Sequence, residues 1–263
     1  MKKKIGFIGL GSMASAMIGG MLRKKLVEPE NILGNAKTEK TRQKAKDAWG
    51  ITILHDNAGV AEQADIVVLA VKPQFFDEVI GELKGLGSDA WQKKLLISLA
   101  PGKTMEWFEK SFGFPVPMIR CMPNTPALVG EGCTGMCVSD RISEEAAEEV
   151  KQITDSFGRT VMVPERLMDV VSAVSGSSPA FVFLFIEALA DGAVAEGMPR
   201  SQACELAAQA VLHHAHHDHL HQHQHADGAQ LLAQVPDIEA QNTVVQLHVG
   251  GLCERVQAAL CEN

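Results

Sequence analysis

The sequence predicts an α/β protein: an N-terminal Rossmann-type, doubly wound sheet over residues 1–163, followed by an all-α domain over residues 164–263. Three observations carry the prediction. Short apolar, β-rich runs alternate with helical patterns through the first part of the chain: "KIGFIGL" then "SAMIGGMLRKK", "NILGNA" then "EKTRQKAKDAW", and later "ITIL", "DIVVLAV", "LLISLA" and "VPMI". Strands apolar on both faces, separated by helices, mark a parallel sheet covered on both sides. After Val163 the strand signals stop and long Ala/Leu-rich helical patterns take over, which places the boundary near Pro164. The third observation is the glycine spacing that ends the first strand.

That spacing is Gly9-x-Gly11-x-x-Ala14, directly after a strand and opening a helix. The first glycine permits a tight turn, the second lets a pyrophosphate approach the backbone, and the small third residue lets helix and strand pack closely. Alone the motif is weak. Here the strand, the helix and the next βα unit all accompany it, so it reads as a dinucleotide site. The competing account of the N-terminus is a secretory leader, with three lysines, an apolar stretch and Ala14-Ser15-Ala16 as a cleavage site. Gly6, Gly9 and Gly11 interrupt what should then be a plain apolar run.

The second strand chooses between cofactors. An NAD site usually ends it with Asp or Glu on the ribose 2'-hydroxyl, whereas this one ends Gly34-Asn35-Ala36-Lys37-Thr38. Without the carboxylate nothing repels a 2'-phosphate, and Lys37 and Thr38 offer it charge and a donor. NADP is expected, with NAD as the alternative; a turn that touches no ligand is the competing reading. Three more strand ends fall at the carboxyl edge, where open α/β sheets place ligands: Leu69 to Gln74, Ser98 to Lys103, and "CMPNTPALVGEG" from Cys121 to Gly132. Pro123 and Pro126 stiffen the last of these by restricting the residues before them. It reads as a wall of the crevice, against the plainer alternative of a rigid surface turn. Lys72 tempts as an acid, but its place beside Pro73 suits shaping the backbone or steering a phosphate.

Further strands over Cys133 to Val138 and Thr160 to Val163 are expected at the sheet edge, with a helix from Ser143 to Phe157 between them, capped by Ser143 and bearing Glu144 and Glu145 in its first turn. The chain carries 24 Lys plus Arg against 32 Asp plus Glu, a formal charge of -8, which argues against a nucleic-acid partner. Six cysteines without paired spacing suggest reduced thiols and a cytoplasmic protein. The apolar run from Pro179 meets Glu187 and Asp191 too soon to span a bilayer, so no membrane is expected. Instead the runs Ala180 to Ala195 and Ala203 to Leu212 offer more apolar surface than their own helices cover, and a homodimer or higher homo-oligomer is expected.

Between His213 and His225 stand eight histidines. On a helix His213, His217, His221 and His225 would share a face suited to Zn or Ni, and on an extended chain the alternation from His219 would do the same. No carboxylate or Cys set accompanies them, so the run reads first as solvated low-complexity sequence, or one of artificial origin, and no metal site is assigned.

"FIGLGSMA", "ADIVVLAVKPQ", "RCMPNTPALVGEG" and "MDVVSAVSGSSPAFVFLFIEALADGAVAEGMPRSQA" together resemble pyrroline-5-carboxylate reductase, as far as about Leu212. The resemblance implies reduction of 1-pyrroline-5-carboxylate, a small-molecule substrate, to L-proline with NADPH or NADH, by a Rossmann domain followed by an interlocking helical domain. It implies that Gly9, Gly11, Ser12, Met13 and Ala14 hold the pyrophosphate, Asn35 and Lys37 the adenosine end, and Asn57, Ala70, Lys72 and Pro73 the rest of the cofactor, with Ala100, Asn124 and Thr125 bordering the nicotinamide. Ala36 departs from the Arg of many relatives, Pro101 and Ser178 replace the usual Ala and Gly, and the family's Ser-Pro-Gly-Gly-x-Thr segment is missing. Thr243 is the nearest relic of its Thr. Ser177 and Ser178, before Pro179, are the other substrate-side candidates, as the start of a helix with outward amides. Two rivals stand beside this reading. A β-hydroxyacid-dehydrogenase-like enzyme would need a Lys in the helical domain, and no Lys follows Lys151. The other is a non-catalytic NADP-binding module with a metal-binding His-rich segment.

Overall fold

The computed structural model describes residues 2–224, with side chains through residue 212. Strands β1 (Ile5–Ile8), β2 (Ile32–Asn35), β3 (Thr52–Ile53), β4 (Ile66–Leu69), β5 (Leu95–Ser98), β6 (Met118–Met122), β7 (Gly132–Val138) and β8 (Gly158–Met162) form one sheet in the order β3-β2-β1-β4-β5-β6-β7-β8. Every neighbouring pair is parallel except β6 with β7. The expected edge strands are therefore present, but they run against the parallel core. The third strand is only two residues long. The sixth continues past the expected "VPMI" to Met122, because the proline that ends it is Pro123.

Helices α1 (Ser12–Arg23), α2 (Glu39–Trp49), α3 (Asn57–Gln63), α4 (Phe76–Leu83), α5 (Ser88–Trp91), α6 (Met105–Phe112) and α7 (Glu144–Asp155) connect the strands. Their starts follow the local chemistry. Thr38, Asp56, Thr104 and Ser143 each accept a hydrogen bond from an N–H of the first turn, while Gly50 and Gly113 end α2 and α6 in the left-handed region. Alternate residues of the central strands enter opposite cores. Phe7, Val68 and Ile97 pack with Met17, Ile18 and Phe157 on one face. Ile8, Val67, Leu69 and Leu96 pack with Phe76, Trp91 and Phe108 on the other. Apolar positions of both parities are buried, which is why the strands read as continuous apolar runs. Ala14 and Ala16, the residues of the apparent cleavage site, are buried on α1 in the first of these cores.

Compact units divide between Pro179 and Ala180, so the unit that carries the sheet runs on past the expected boundary. The added segment holds α8 (Met168–Val171) and a π turn over Ser172–Gly176. It packs closely on the sheet: a Cβ at Gly135 of β7 would lie 2.6 Å from Val171 Cγ1. Glu165 ties this segment down. Its Oε1 accepts from the buried Arg120 of β6 at 2.7 Å and from the Met105 amide of α6 at 2.7 Å.

The second unit contains most of α9 (Ser178–Ala195) and α10 (Arg200–Gln224). Gly197 takes φ +95, with its amide bonded to the Val194 carbonyl and the Met198 amide to the Ala193 carbonyl, a Schellman ending that turns the chain into α10. Ala190, Ala203 and Ala207 are buried between the two helices. The large side chains of α9 are not: Phe181 is 67% exposed, Leu184 61% and Phe185 57%.

Candidate nucleotide-binding site

The strand order reverses between β1 and β4, so the crevice expected of an open α/β sheet lies outside the carboxyl ends of these two strands. Two surface hollows lie elsewhere, at the amino edge around Lys3, Asp65, Lys94 and Glu149. The chemistry gathers at the other edge.

Gly9 leaves β1 at φ +95 with its amide on the Asn35 carbonyl at 2.9 Å. A Cβ there would stand 2.6 Å from the Ala70 carbonyl oxygen, so only glycine allows the exits of β1 and β4 to touch. Gly11 differs. It sits at the N-cap of α1 with ordinary φ, provides no side-chain cap, and a Cβ on it would meet nothing within 4 Å. No acidic residue stands in the first turn of α1. The N–H groups of Ser12, Met13 and Ala14 thus lie at an uncapped, positive helix end with open space before it, which is what a pyrophosphate needs. Ala14, fully buried, fills the close-packing place of the motif.

At the end of β2, Asn35 is 7% exposed; its Nδ2 donates to Asn57 Oδ1 at 2.9 Å, and its Oδ1 is buried without a partner. A buried acceptor of this kind fits a ligand hydroxyl. Lys37 Nζ lies 4.6 Å from the centre of the Phe75 ring. The Thr38 hydroxyl caps α2, accepting from the Thr41 amide at 3.2 Å, and shares a 2.8 Å hydrogen bond with the Thr41 hydroxyl. Sequence reasoning missed a second cation: Arg42 Nη1 donates to the Ala36 carbonyl at 2.5 Å, and its Nη2 pairs with Glu39 at 2.7 Å. The hydrogen bond and charge of Arg42 hold the Glu39 carboxyl below its ordinary range. Arg42 lies in the first turn of α2, beyond the loop that follows the strand.

Lys72 and Pro73 are exposed after β4, with the Lys72 carbonyl accepting from Phe75 at 3.0 Å, which fits a backbone-shaping role better than that of an acid. Ala100 is buried after β5, its amide bonded to Ser98 Oγ at 3.2 Å. In the loop after β6, Thr125 is exposed, while Asn124 is bound internally. Asn124 Oδ1 accepts from the Cys133 amide at 2.8 Å, and Nδ2 donates to the Ser175 carbonyl at 3.2 Å. The cause is local: Ser175 stands four residues before Pro179, which has no N–H to give it. Asn124 supplies the missing donor.

α9 begins at Ser178, where a helix start is expected, but not as an open helix end. The chain enters α9 from the π turn, with the Ser177 amide bonded to the Ser172 carbonyl at 3.1 Å. Both hydroxyls donate backwards, Ser177 to Ser172 at 3.3 Å and Ser178 to Val174, so neither caps an open helix end. Thr243 lies outside the described residues, as do the side chains of the His213 to His225 run. Among the described cysteines Cys121, Cys133, Cys137 and Cys204 are free, and burial pushes the Cys121 thiol up to about 12, which leaves it an inert core group.

The two glycines separate fold from binding. Gly9→Ala should cost about 2 kcal/mol of stability by denaturant titration, because its Cβ has nowhere to go. Gly11→Val should leave stability within about 0.5 kcal/mol and weaken NADPH binding by about a hundredfold or more, since the side chain enters open space before the helix. Undiminished NADPH affinity in Gly11→Val would contradict the assignment.

Comparison with known proteins bears on the whole chain. Residues 4–102 match the family model for NADP oxidoreductase, coenzyme F420-dependent, and residues 165–251 match that for pyrroline-5-carboxylate reductase dimerisation, a span that passes Leu212. The chain is 40% identical over 210 residues to the pyrroline-5-carboxylate reductase of Methanosarcina acetivorans, covering 80% of this chain and 77% of that one. Among solved structures it is similar to a pyrroline-5-carboxylate reductase from Coxiella burnetii, with TM-score 0.75, 29% identity and coverage of 100% and 96% of the two chains. It is likewise similar to the Plasmodium falciparum pyrroline carboxylate reductase with NADP bound, with TM-score 0.72, 27% identity and coverage of 98% of each. With its switch-point glycines, uncapped α1 and dimerisation region, the chain belongs to the pyrroline-5-carboxylate reductase family.

Proposed function

We infer that the chain reduces 1-pyrroline-5-carboxylate to L-proline, the last step of proline biosynthesis, with NADPH as donor and NADH as the alternative. The observation that carries this is the 40% identity to a reductase of that name over 80% of this chain. A bound nicotinamide supplies the hydride. The protein's part is binding and alignment. Amides of Ser12, Met13 and Ala14 receive the pyrophosphate, Asn35 and Asn57 the adenosine ribose, and Lys37 with Arg42 the 2'-phosphate side. Ala70, Lys72 and Pro73 shape the β4 exit. Ala100, Asn124 and Thr125 border the nicotinamide, and the internal bonds of Asn124 hold that wall still.

An imine nitrogen is already a good proton acceptor, so such a site needs positioning more than a strong acid. The absence of any Lys after Lys151 agrees with this and disfavours hydroxyacid chemistry, which depends on one. Of the substrate-side candidates, Ser177 and Ser178 spend their hydroxyls on their own helix, and Thr243 keeps the expectation. The assay is NADPH oxidation followed at 1-pyrroline-5-carboxylate saturation, beside a 3-hydroxy acid with NADP. Turnover of the imine alone is expected. Cofactor binding with no imine turnover would overturn the reading in favour of a non-catalytic module.

The match to the dimerisation family supports a homo-oligomer, and we assign the contact to the exposed apolar face of α9. The stretch Glu165–Ala195 is, by length and composition, also able to cross a membrane. Glu187 and Asp191 within it, and its coincidence with the dimerisation match, favour a protein contact. Free cysteines and a negative net charge support a cytoplasmic protein without nucleic-acid partners. Large aromatic side chains dominate the energetics of such contacts. Phe181→Ser combined with Phe185→Ser should therefore shift the protein from dimer or larger species to monomer at micromolar concentration in sedimentation velocity. An unchanged sedimentation coefficient would place the interface elsewhere.

A further inference from the structure

Glu82, on the exposed side of α4, is the one charged group in a hydrogen-bonded chain that ends at the crevice. Its Oε2 accepts from Asn57 Nδ2 at 2.7 Å, and Asn57 Oδ1 accepts from Asn35 Nδ2 at 2.9 Å. An ionised carboxylate can only accept. Asn57 must therefore turn its amide nitrogen towards Glu82 and its oxygen towards Asn35, and Asn35 must in turn give its nitrogen to Asn57. Two amides that could each flip are set in one sense by a single charge. What remains is Asn35 Oδ1, an acceptor with no partner in a residue only 7% exposed.

The place of this acceptor defines its ligand. Asn35 ends β2, and its carbonyl receives the Gly9 amide at 2.9 Å, so it stands beside the turn that receives the pyrophosphate. In dinucleotide folds the same strand end meets the adenosine ribose, and an NAD-specific site uses a carboxylate there to accept from the 2'-hydroxyl. An amide oxygen can accept from that hydroxyl too. Unlike a carboxylate, it carries no charge to repel a 2'-phosphate.

We propose that Glu82 is a positioning residue that fixes Asn35 Oδ1 as an uncharged acceptor for the adenosine 2'-hydroxyl, so that one site serves NADH as well as NADPH. The proposal rests on the NAD(P)H reading given above. Without the carboxylate, Asn57 loses its reason to face outward, the relay is free to invert, and Asn35 then presents nitrogen in place of oxygen to a hydroxyl that has a proton to give.

The test measures dissociation constants of NADH, of its analogue lacking the adenosine 2'-hydroxyl, and of NADPH, for the parent protein and Glu82→Leu. In the parent, NADH should bind about three- to tenfold tighter than the deoxy analogue, the worth of one hydrogen bond. In Glu82→Leu, NADH should weaken to the level of the analogue, the analogue itself should not change, and NADPH should not weaken, since its 2' position carries no hydroxyl to donate and an inverted Asn35 offers the phosphate an N–H. The closing of the gap between NADH and its analogue is a readout that a structural role would not move. A gap that persists in Glu82→Leu, or is absent from the parent, overturns the proposal. Equal weakening of all three cofactors with a lowered thermal midpoint assigns Glu82 to packing and overturns it as well. Failure of the parent to bind any of the three would instead overturn the NAD(P)H reading, and the proposal with it.

Discussion

The contact between Gly9 and the Ala70 carbonyl is the constraint on which the rest of the crevice depends. It brings the exits of β1 and β4 together at the point where the strand order reverses, and any Cβ at Gly9 would force them apart. The close approach also aims α1. The chain turns at Gly9 and enters the helix at Ser12 with no side-chain cap for the amides of the first turn. A helix end left uncapped is a cost to the fold that an anionic ligand offsets. The fold makes opposite demands on two glycines separated by one residue: Gly9 has no room for a Cβ, and Gly11 faces open space.

Around this turn, polar side chains act mainly by holding backbone in place. Asn124 joins the β6 loop to β7 and to the carbonyl that Pro179 leaves without a donor, so the wall of the crevice and the entry to α9 share one amide. Ser98 secures the Ala100 amide after β5. Arg120 and Glu165 connect β6, the start of α6 and the segment before α8 through a buried guanidinium, an arrangement whose main effect is to fix geometry, since a buried ion pair adds little net stability. These links give each strand exit its own anchor. The loops at the carboxyl edge can then be short and still present a defined surface to a ligand.

The parallel core was legible in the sequence because both faces of its strands are buried, and so were the tight turn at Gly9 and the close packing at Ala14, because each demands a small residue. The reversal of β7 was not legible. Strand direction depends on tertiary pairing, and the period of the side chains is the same in either sense. Nor did the sequence show how α9 begins. Ser-Ser-Pro has the composition of a helix start, but the helical path arrives from Met168 through a π turn, and the hydroxyls bond to carbonyls behind them. Arg42 and Glu82 escaped notice for a common reason: each reaches a strand-exit residue, Ala36 or Asn57, from a helix through a side chain, and no spacing in the chain announces such a contact. Asn35, by contrast, stood visibly at a strand end. What the sequence could not show was that its oxygen would be left buried and without a partner.

The most direct test of the account is the amide spectrum of the isotopically labelled protein during titration with NADP. Backbone N–H groups placed at the open end of α1 must change environment when a pyrophosphate arrives. The largest shifts are expected at Gly11, Ser12, Met13 and Ala14, together with the side-chain amides of Asn35 and Asn57. Saturable shifts that leave these groups unmoved and cluster elsewhere on the protein would contradict the account.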